Sequence, residues 1–409
     1  MKTIKSLILL AIVMTGCVTA SKTTDQVPSQ PVVRTTPLPL IPSPTGNNLT
    51  FPESVLSANR QEMPVNSTRF QLEIFAEGFI VPWSMVFTSS NRILISERNG
   101  HIREVVDGQL NPQPLISFTS VSVQGEAGLL GLALDPAYSS NRFLYAIYTT
   151  SKDGLLINRV VKLSDLGSSL EQIGIILDDL PAARNHAGGR LRFGEDGKLY
   201  ISVGDAQQPA LSQDVNSLAG KILRINTDGT IPADNPFPDS LVYSLGHRNA
   251  QGMDWDPTNN LFYATEHGPS GFDGAPGGDE INLIQAGGNY GWPLISHVEI
   301  ETGLTQPLVQ FSPAVAPGSG MFYTGALFPQ FNGNFFFGGL VGEGLYRVVL
   351  STNNPTEILL IDKLDIAVGR IRDVVQGPDG AIYFTTSNSD GRGRMREGDD
   401  KIYRLSPLP

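Results

Sequence analysis

A single cysteine, Cys17, stands among 409 residues, so no internal disulfide can form and stability must come from packing. Positive charge is also short. With 29 lysines and arginines against 40 aspartates and glutamates, the net charge is −11, which argues against nucleic acid or an anionic membrane surface as a partner. A small anionic ligand gripped by a few local arginines stays compatible with that balance. No amphipathic pattern of helical period lasts even three turns, which argues against a helical solenoid. Also absent are the nucleotide-binding glycine fingerprint, the G-x-S-x-G nucleophile elbow and a closely spaced histidine pair for zinc.

What abounds is glycine, 43 residues, and proline, 29, in a chain that is 40% apolar and 17% charged. That composition favours many short strands and turns around a sizeable core. At the N-terminus Lys2 and Lys5 precede the apolar run Leu7 to Val13, the layout of a secretory signal and too short to span a bilayer. "MTGC" follows directly and resembles a bacterial lipobox. Residues 1–17 are therefore expected to be a lipoprotein-type signal, with Cys17 lipidated and the chain exported as a membrane-anchored lipoprotein facing the periplasm or cell exterior. The membrane would be met only through that anchor. Residues 18–67, with Pro28, Pro31, Pro37, Pro39, Pro42 and Pro44 among Ser, Thr and Asn, read as a disordered tether. The glycosylation sequons at Asn48 and Asn66 read as coincidence.

Residues 68–409 carry a repeated pair of segments. The first is a turn and an apolar or aromatic strand, as in "SSNRILISERNG", "SSNRFLYAIYT", "EDGKLYISVGD", "PTNNLFYATEHG", "FNGNFFFGGL" and "PDGAIYFTTSN". The second reads apolar, apolar, basic, apolar, clearest in Val160 to Leu163, Ile222 to Ile225, Leu345 to Val348 and Ile402 to Leu405, with "HIREVV" and "EINLIQ" as weaker copies. Strand starts at Ile93, Leu144, Leu199, Leu261, Phe335 and Ile382 recur every 47 to 74 residues, near the spacing of propeller blades. The alternation marks strands with one buried face, and radial repetition is how so many strands hide their edges. The fold expected is all-β, a six-bladed β-propeller, closed by "RFQLEIFAEG" pairing with the last blade.

Polar residues that interrupt this pattern are candidates for chemistry, because a propeller scaffold carries function on its loops. His186 lies between Asn185 and Gly188-Gly189, where glycine lets a ligand or another backbone come close. A neutral imidazole is the usual proton acceptor near neutral pH, and Asp205, ending the next strand, could hydrogen-bond its far nitrogen. "SLGHRNAQGMDWDP" groups His247, Arg248, Asn249 and Gln251, with Arg248 offering a planar donor fork for a carboxylate. A glycine-rich stretch, "EHGPSGFDGAPGGDEINLIQAGGNYGWP", holds Asp273, Asp279 and Glu280, oxygen-rich surroundings of the kind Ca²⁺ takes. In "VGRIRDVVQGPDG", Arg370 and Arg372 share a strand face by period two, so three arginines could converge on one anionic ligand. Each has a structural alternative: a loop histidine bonded to a carbonyl, an arginine paired at a blade edge, a solvated strand face.

Together these stretches resemble the soluble pyrroloquinoline quinone (PQQ)-dependent sugar dehydrogenases, the glucose/sorbosone or aldose sugar dehydrogenase family. The resemblance runs from about Phe70 to Leu405. It rests on "GEAGLLGLALDP", "NHAGGRLRFGEDGKLYISVGD", "LGHRNAQGMDWDP", "EHGP…GGDEINLIQAGGNYGWP", "PAVAPGSGMFYTG" and "GRIRDVVQGPDG" in that order. It implies oxidation of an aldose at its anomeric carbon, hydride passing to PQQ and electrons to an external acceptor. By the same resemblance His186 is the general base, Asp205 orients it, and Arg248, Asn249 and Gln251 sit toward the cofactor. Arg370 and Arg372 hold PQQ carboxylates, the carbonyls of Gly268 and Pro269 bind the Ca²⁺ beside PQQ, and Glu280 and Tyr290 match a second Ca²⁺ site. Glu126 is a substrate candidate, and the Gly188-Gly189 backbone is expected to leave room for the sugar against His186.

The chain also departs from the family. Val341 and Gly342 stand where members carry a cofactor-contacting lysine, Ser312 where a tryptophan often packs on PQQ, and Ser387 in place of an acid from the last blade. Two other readings stay open at this level: a non-catalytic propeller that binds carbohydrate or protein, and a Ca²⁺-dependent lactonase.

Overall fold

The computed structural model describes residues 70–408. Cys17, the expected signal and the expected tether at 18–67 lie outside the described residues. Six antiparallel sheets follow one another along the chain. Their innermost strands are Pro82–Phe87, Leu129–Leu134, Leu191–Phe193, Ala250–Trp255, Met321–Phe322 and Ile371–Gln376, which open blades 1 to 6. The sequence repeat falls on the second strands, which begin at Arg92, Phe143, Leu199, Phe262, Phe335 and Ile382. The apolar-apolar-basic-apolar motif falls on the third strand of every blade, including the weak copies in His101–Val106 and Asp279–Ile284.

The expected closure is observed. Phe70–Glu77 pairs antiparallel with Lys401–Pro407, so the first strand completes the sixth blade as its outer strand and joins the two ends of the ring. Six buried apolar clusters fill the joints between neighbouring blades. The period-two pattern thus buries both faces of most inner strands against adjacent sheets, as in Leu199–Val203, which is buried throughout. Helix is confined, among the described residues, to the short α-helix Tyr138–Asn141 and two 3₁₀ turns.

The basic residue of the repeat has a local cause. In blade 3 the turn aspartate Asp196 accepts from the backbone N–H of Lys198 at 3.0 Å, the Tyr200 hydroxyl at 3.0 Å and Arg224 Nε at 2.9 Å. Blade 6 repeats the arrangement with Asp379, Ala381, Tyr383 and Arg404. The aspartate that tightens the hairpin also anchors the third strand's cation.

At the axis, Arg190 joins the blades. Its guanidinium donates to Asp373 of blade 6 at 2.9 Å, the Gln251 carbonyl of blade 4 at 2.8 Å and the Gly318 carbonyl at 2.8 Å. It also lies 4.4 Å from the Trp83 ring. Asp373 in turn accepts from the Met85 backbone N–H of blade 1 at 2.8 Å. A buried, saturated charge pair of this kind fixes blade positions beneath the loops that follow.

Candidate active site

His186 is held by its backbone as much as by its side chain. It adopts a left-handed φ of 57°, and its N–H donates to Glu126 Oε2 at 3.0 Å. Its Nδ1 lies 2.7 Å from Asp205 Oδ1. Asp205 is fully buried and also accepts from Trp292 Nε1 at 2.9 Å and the Gln207 N–H at 2.8 Å. An ionised carboxylate only accepts, so Nδ1 carries the proton and Nε2 is left with its lone pair. Nε2 points toward Asp273, whose Oδ2 is 4.0 Å away.

The adjacent glycines act differently from the expectation. A Cβ at Gly188 would stand 2.6 Å from the Gly204 nitrogen and the Ser202 carbonyl, and one at Gly189 would strike the Leu130 side chain at 2.4 Å. The space is filled by neighbouring chain, not kept for a sugar. The close approach is what allows the His186 loop to seat on the strand that carries Asp205.

His186 opens onto a cavity of about 240 Å³. Around it the structure gathers Glu126, Arg248, Asn249, Gly268, Pro269, Arg370 and Arg372 from the sequence-based set. Asp205 stands behind His186. Gln251 stays out of the lining as well: its side-chain oxygen accepts from Arg372, so it supports that arginine instead of meeting a ligand directly. Asn249 accepts from the Gly188 N–H at 3.0 Å and donates to Glu126 at 3.4 Å. Burial works against ionisation of Glu126, yet His267, Arg392 and His186 nearby hold its carboxyl below the usual range.

The three arginines do converge on the cavity, but their charges are not all free. Arg248 donates to Asp273 at 2.7 Å, the Ser270 hydroxyl at 2.9 Å and the His267 carbonyl at 3.1 Å. Arg370 donates to Asp390 at 2.8 and 3.0 Å and to the Leu340 carbonyl at 2.8 Å. Both are therefore compensated within the chain. Arg372 is not: its Nε is buried without a partner, and burial pulls its pKa down to about 10. Arg98, which sequence reasoning missed, is in the same condition, with an unpartnered buried Nε. Asp390, also missed, brings to the cavity an acid from blade 6, three residues beyond Ser387 where an acid was thought lost.

One sequence signal would have found two of these. In blades 1, 4 and 5 the residue just after the second strand lines the cavity: Arg98 after Arg92–Glu97, His267 after Phe262–Glu266 and Leu340 after Phe335–Gly339. Burial pushes His267 down to about 4, and its Nε2 lies 3.1 Å from the Pro317 carbonyl.

The second cluster lies apart from the first. Glu280 and Tyr290 line a separate small cavity with Glu266, Gly268 and Pro269. Burial, reinforced by the Glu266 charge, pushes Glu280 up to about 8. The Tyr290 hydroxyl is already used, donating to the Leu283 carbonyl at 2.6 Å and accepting from the Gln285 N–H at 2.8 Å. Asp279 accepts from the Gly268 N–H at 2.8 Å and from the Val315 and Ala316 N–H groups at 2.7 Å, so it shapes the loop that presents the Gly268 and Pro269 carbonyls. Among the described residues no group of three or more His, Cys, Asp or Glu side chains is placed to hold a metal.

Fold and cavity together define a six-bladed propeller with a pocket of small-molecule size, lined by a histidine and several arginines. Residues 79–402 match the family described as Glucose / Sorbosone dehydrogenase, and the chain belongs to that family. It is 32% identical over 346 residues to aldose sugar dehydrogenase YliI of Escherichia coli, covering 78% of this chain and 91% of that protein. The uncharacterized protein slr1608 of Synechocystis is 36% identical over 354 residues, covering 77% and 84%. Among solved structures, the PQQ-bound aldose sugar dehydrogenase of Streptomyces coelicolor superposes with a TM-score of 0.73 at 33% identity, over 83% of this chain and 98% of that one. The family makes the protein an oxidoreductase with a small-molecule sugar substrate.

Proposed function

We propose that the chain is a PQQ-dependent aldose dehydrogenase that oxidises its sugar at the anomeric carbon to the lactone and passes electrons to an external acceptor. The observation that carries this reading is the pairing of two features in one cavity: a histidine with a free Nε2 backed by a buried aspartate, and two arginines, Arg98 and Arg372, whose buried Nε donors have no partner. Buried donors without partners are costly, and an anionic ligand bearing carboxylates is what would satisfy Arg98 and Arg372. PQQ is such a ligand. Arg98 also supplies a cation that offsets the lysine missing at Val341. Similarity to a PQQ-bound relative supports the same choice.

When bound, PQQ supplies a two-electron quinone that takes up the hydride, and Ca²⁺ at the Gly268 and Pro269 carbonyls supplies Lewis-acid polarisation. His186 takes the anomeric hydroxyl proton at Nε2, and Asp205 stabilises the imidazolium that results. Arg248 and Asn249 place N–H donors on the side of the cavity where negative charge would develop. The buried Glu266 beside the half-buried Glu280, with the Glu280 carboxyl pushed up to about 8, is the arrangement a second Ca²⁺ would relieve.

The test is to add PQQ and Ca²⁺ to protein lacking residues 1–17 and to assay dye reduction with a panel of aldoses. Turnover requiring both additions, and lost in His186→Ala, is expected. Neither turnover nor a spectral change on PQQ titration at saturating Ca²⁺ would refute the reading. Export and anchoring through Cys17 are proposed with it, and Cys17→Ser is expected to shift the protein from the membrane to the soluble fraction.

A further inference from the structure

The segment between the fourth blade's second and third strands carries Phe272, which neither the scaffold nor the proposed cofactor site uses, and Asp273, whose pairing with Arg248 leaves Oδ2 facing His186. Phe272 lies over the His186 imidazole, ring centroids 5.5 Å apart and planes inclined by 24°, yet it is 61% exposed. Among the described residues it is the one aromatic side chain that stands out in solvent. An aromatic face held open beside a polar cavity suits a ligand with one apolar face and many hydroxyls. Asp273 follows it. Oδ2 is 2.7 Å from Arg248 Nε, Oδ1 accepts from the Ser270 N–H at 3.0 Å, and the carboxylate stands 4.0 Å from His186 Nε2.

That last distance is too long for a direct hydrogen bond, and both atoms are acceptors. A single hydroxyl has only one proton and cannot serve both. Two hydroxyls on neighbouring carbons stand about one hydrogen-bond length apart, so each can donate at about 2.8 Å, one to Nε2 and one to Oδ2. An ionised carboxylate offers no donor, so the position accepts a hydroxyl and rejects its absence. Burial opposes the charge of Asp273, but the Arg248 guanidinium holds its carboxyl below the usual range.

The opposite rim excludes another class of substrate. Arg392, the exposed cation nearest the mouth, already donates to Glu126 at 3.2 Å and to Asn185 at 3.0 Å. With its charge compensated, the rim offers little to a phosphate or carboxylate on the sugar.

We infer that Phe272 and Asp273 form the sugar-recognition subsite, which takes a neutral aldopyranose and reads the hydroxyl next to the anomeric one. The anomeric hydroxyl donates to His186, its neighbour donates to Asp273, and the ring's apolar face lies against Phe272. The inference rests on the dehydrogenase reading for the role of His186, but the binding itself does not require turnover.

The experiment therefore has two arms. In the first, D-glucose and 2-deoxy-D-glucose are compared as substrates of the PQQ- and Ca²⁺-loaded wild type and of Asp273→Ala. The wild type is expected to favour glucose by at least about 10-fold in kcat/KM, and the variant to lose that preference to within about threefold. A merely structural role for Asp273 would lower both substrates equally and keep the ratio, which would overturn the inference. Phe272→Ala is expected to raise KM for both sugars, and Phe272→Trp to restore it. In the second arm, saturation-transfer NMR records the contacts of the same two sugars with cofactor-free protein. Enhancement around carbon 2 that disappears in Asp273→Ala upholds the subsite even if no form turns over, in which case only the dehydrogenase reading falls. No sugar contact in the wild type, or contact unchanged by both substitutions, overturns the inference.

Discussion

Asp205→Asn separates the chemistry of His186 from everything else in the cavity. Asp205 does not line the cavity, so sugar contacts should survive its replacement. What changes is the partner of the imidazolium. Unit charges about 4 Å apart at an effective dielectric of about 20 attract by about 4 kcal/mol, and the pair is buried, with Nδ1 and Oδ1 at 2.7 Å. Each 1.36 kcal/mol is about tenfold in rate, so kcat is expected to fall about 10³-fold while KM changes by less than about threefold. The asparagine can also turn its amide N–H toward Nδ1 and force the wrong tautomer, which acts in the same direction. Steady-state dye reduction in the loaded protein gives both constants, and circular dichroism checks that the fold survives the altered contacts with Trp292 and Gln207. If kcat stayed within about threefold of wild type, or if the loss fell on KM, the role assigned to the His186–Asp205 couple would be wrong.

Arg372→Met is expected to weaken PQQ binding by about 10–100-fold, the worth of one charge-assisted hydrogen bond, read from an absorbance titration. Arg190→Met strands Asp373 as a buried unpaired charge and should cost about 3–5 kcal/mol, measured by urea unfolding. Asp165 is buried, yet Arg92 and Tyr138 hold its carboxyl below the ordinary range. Its contribution to stability is therefore present above the unfolded-state pKa and lost as pH falls through the folded one. Asp165→Asn should accordingly be less stable than wild type at pH 7, with the gap closing below about pH 4 in urea melts taken across that range.

The ring was legible because its signal is local. Each Asp-Gly or Asn-Gly turn and the alternating strand beside it can be read within ten residues, and even "EINLIQ" fell on a strand. His186 and Asp205 were readable for the same reason, being separated by one hairpin. What escaped was pairing between distant segments. Nothing near Arg370 in sequence says that Asp390 will neutralise it, or that Asp273 will do so for Arg248, and Gln251 could not be told from a ligand contact without its bond to Arg372. Arg98 looked like an ordinary turn residue because its environment is made by blade 6 and by the loops around the axis. The glycines were expected to leave room for a sugar as well as for another backbone, but the next strand fills the space at Gly188 and the Leu130 side chain fills it at Gly189.

The ring's closure also sets an order of events. Gln71 and Ser406 are bonded across a separation of 335 residues, so the first strand of the propeller must wait for the last to be made. No fragment that stops short of Lys401 can complete blade 6, however well its other blades are formed. The ring therefore cannot lock until its C-terminal strand has been made, and a chain cut short of that strand stays open. Non-local pairing of this kind is slow to form, and here it is the pairing that joins the ring's two ends.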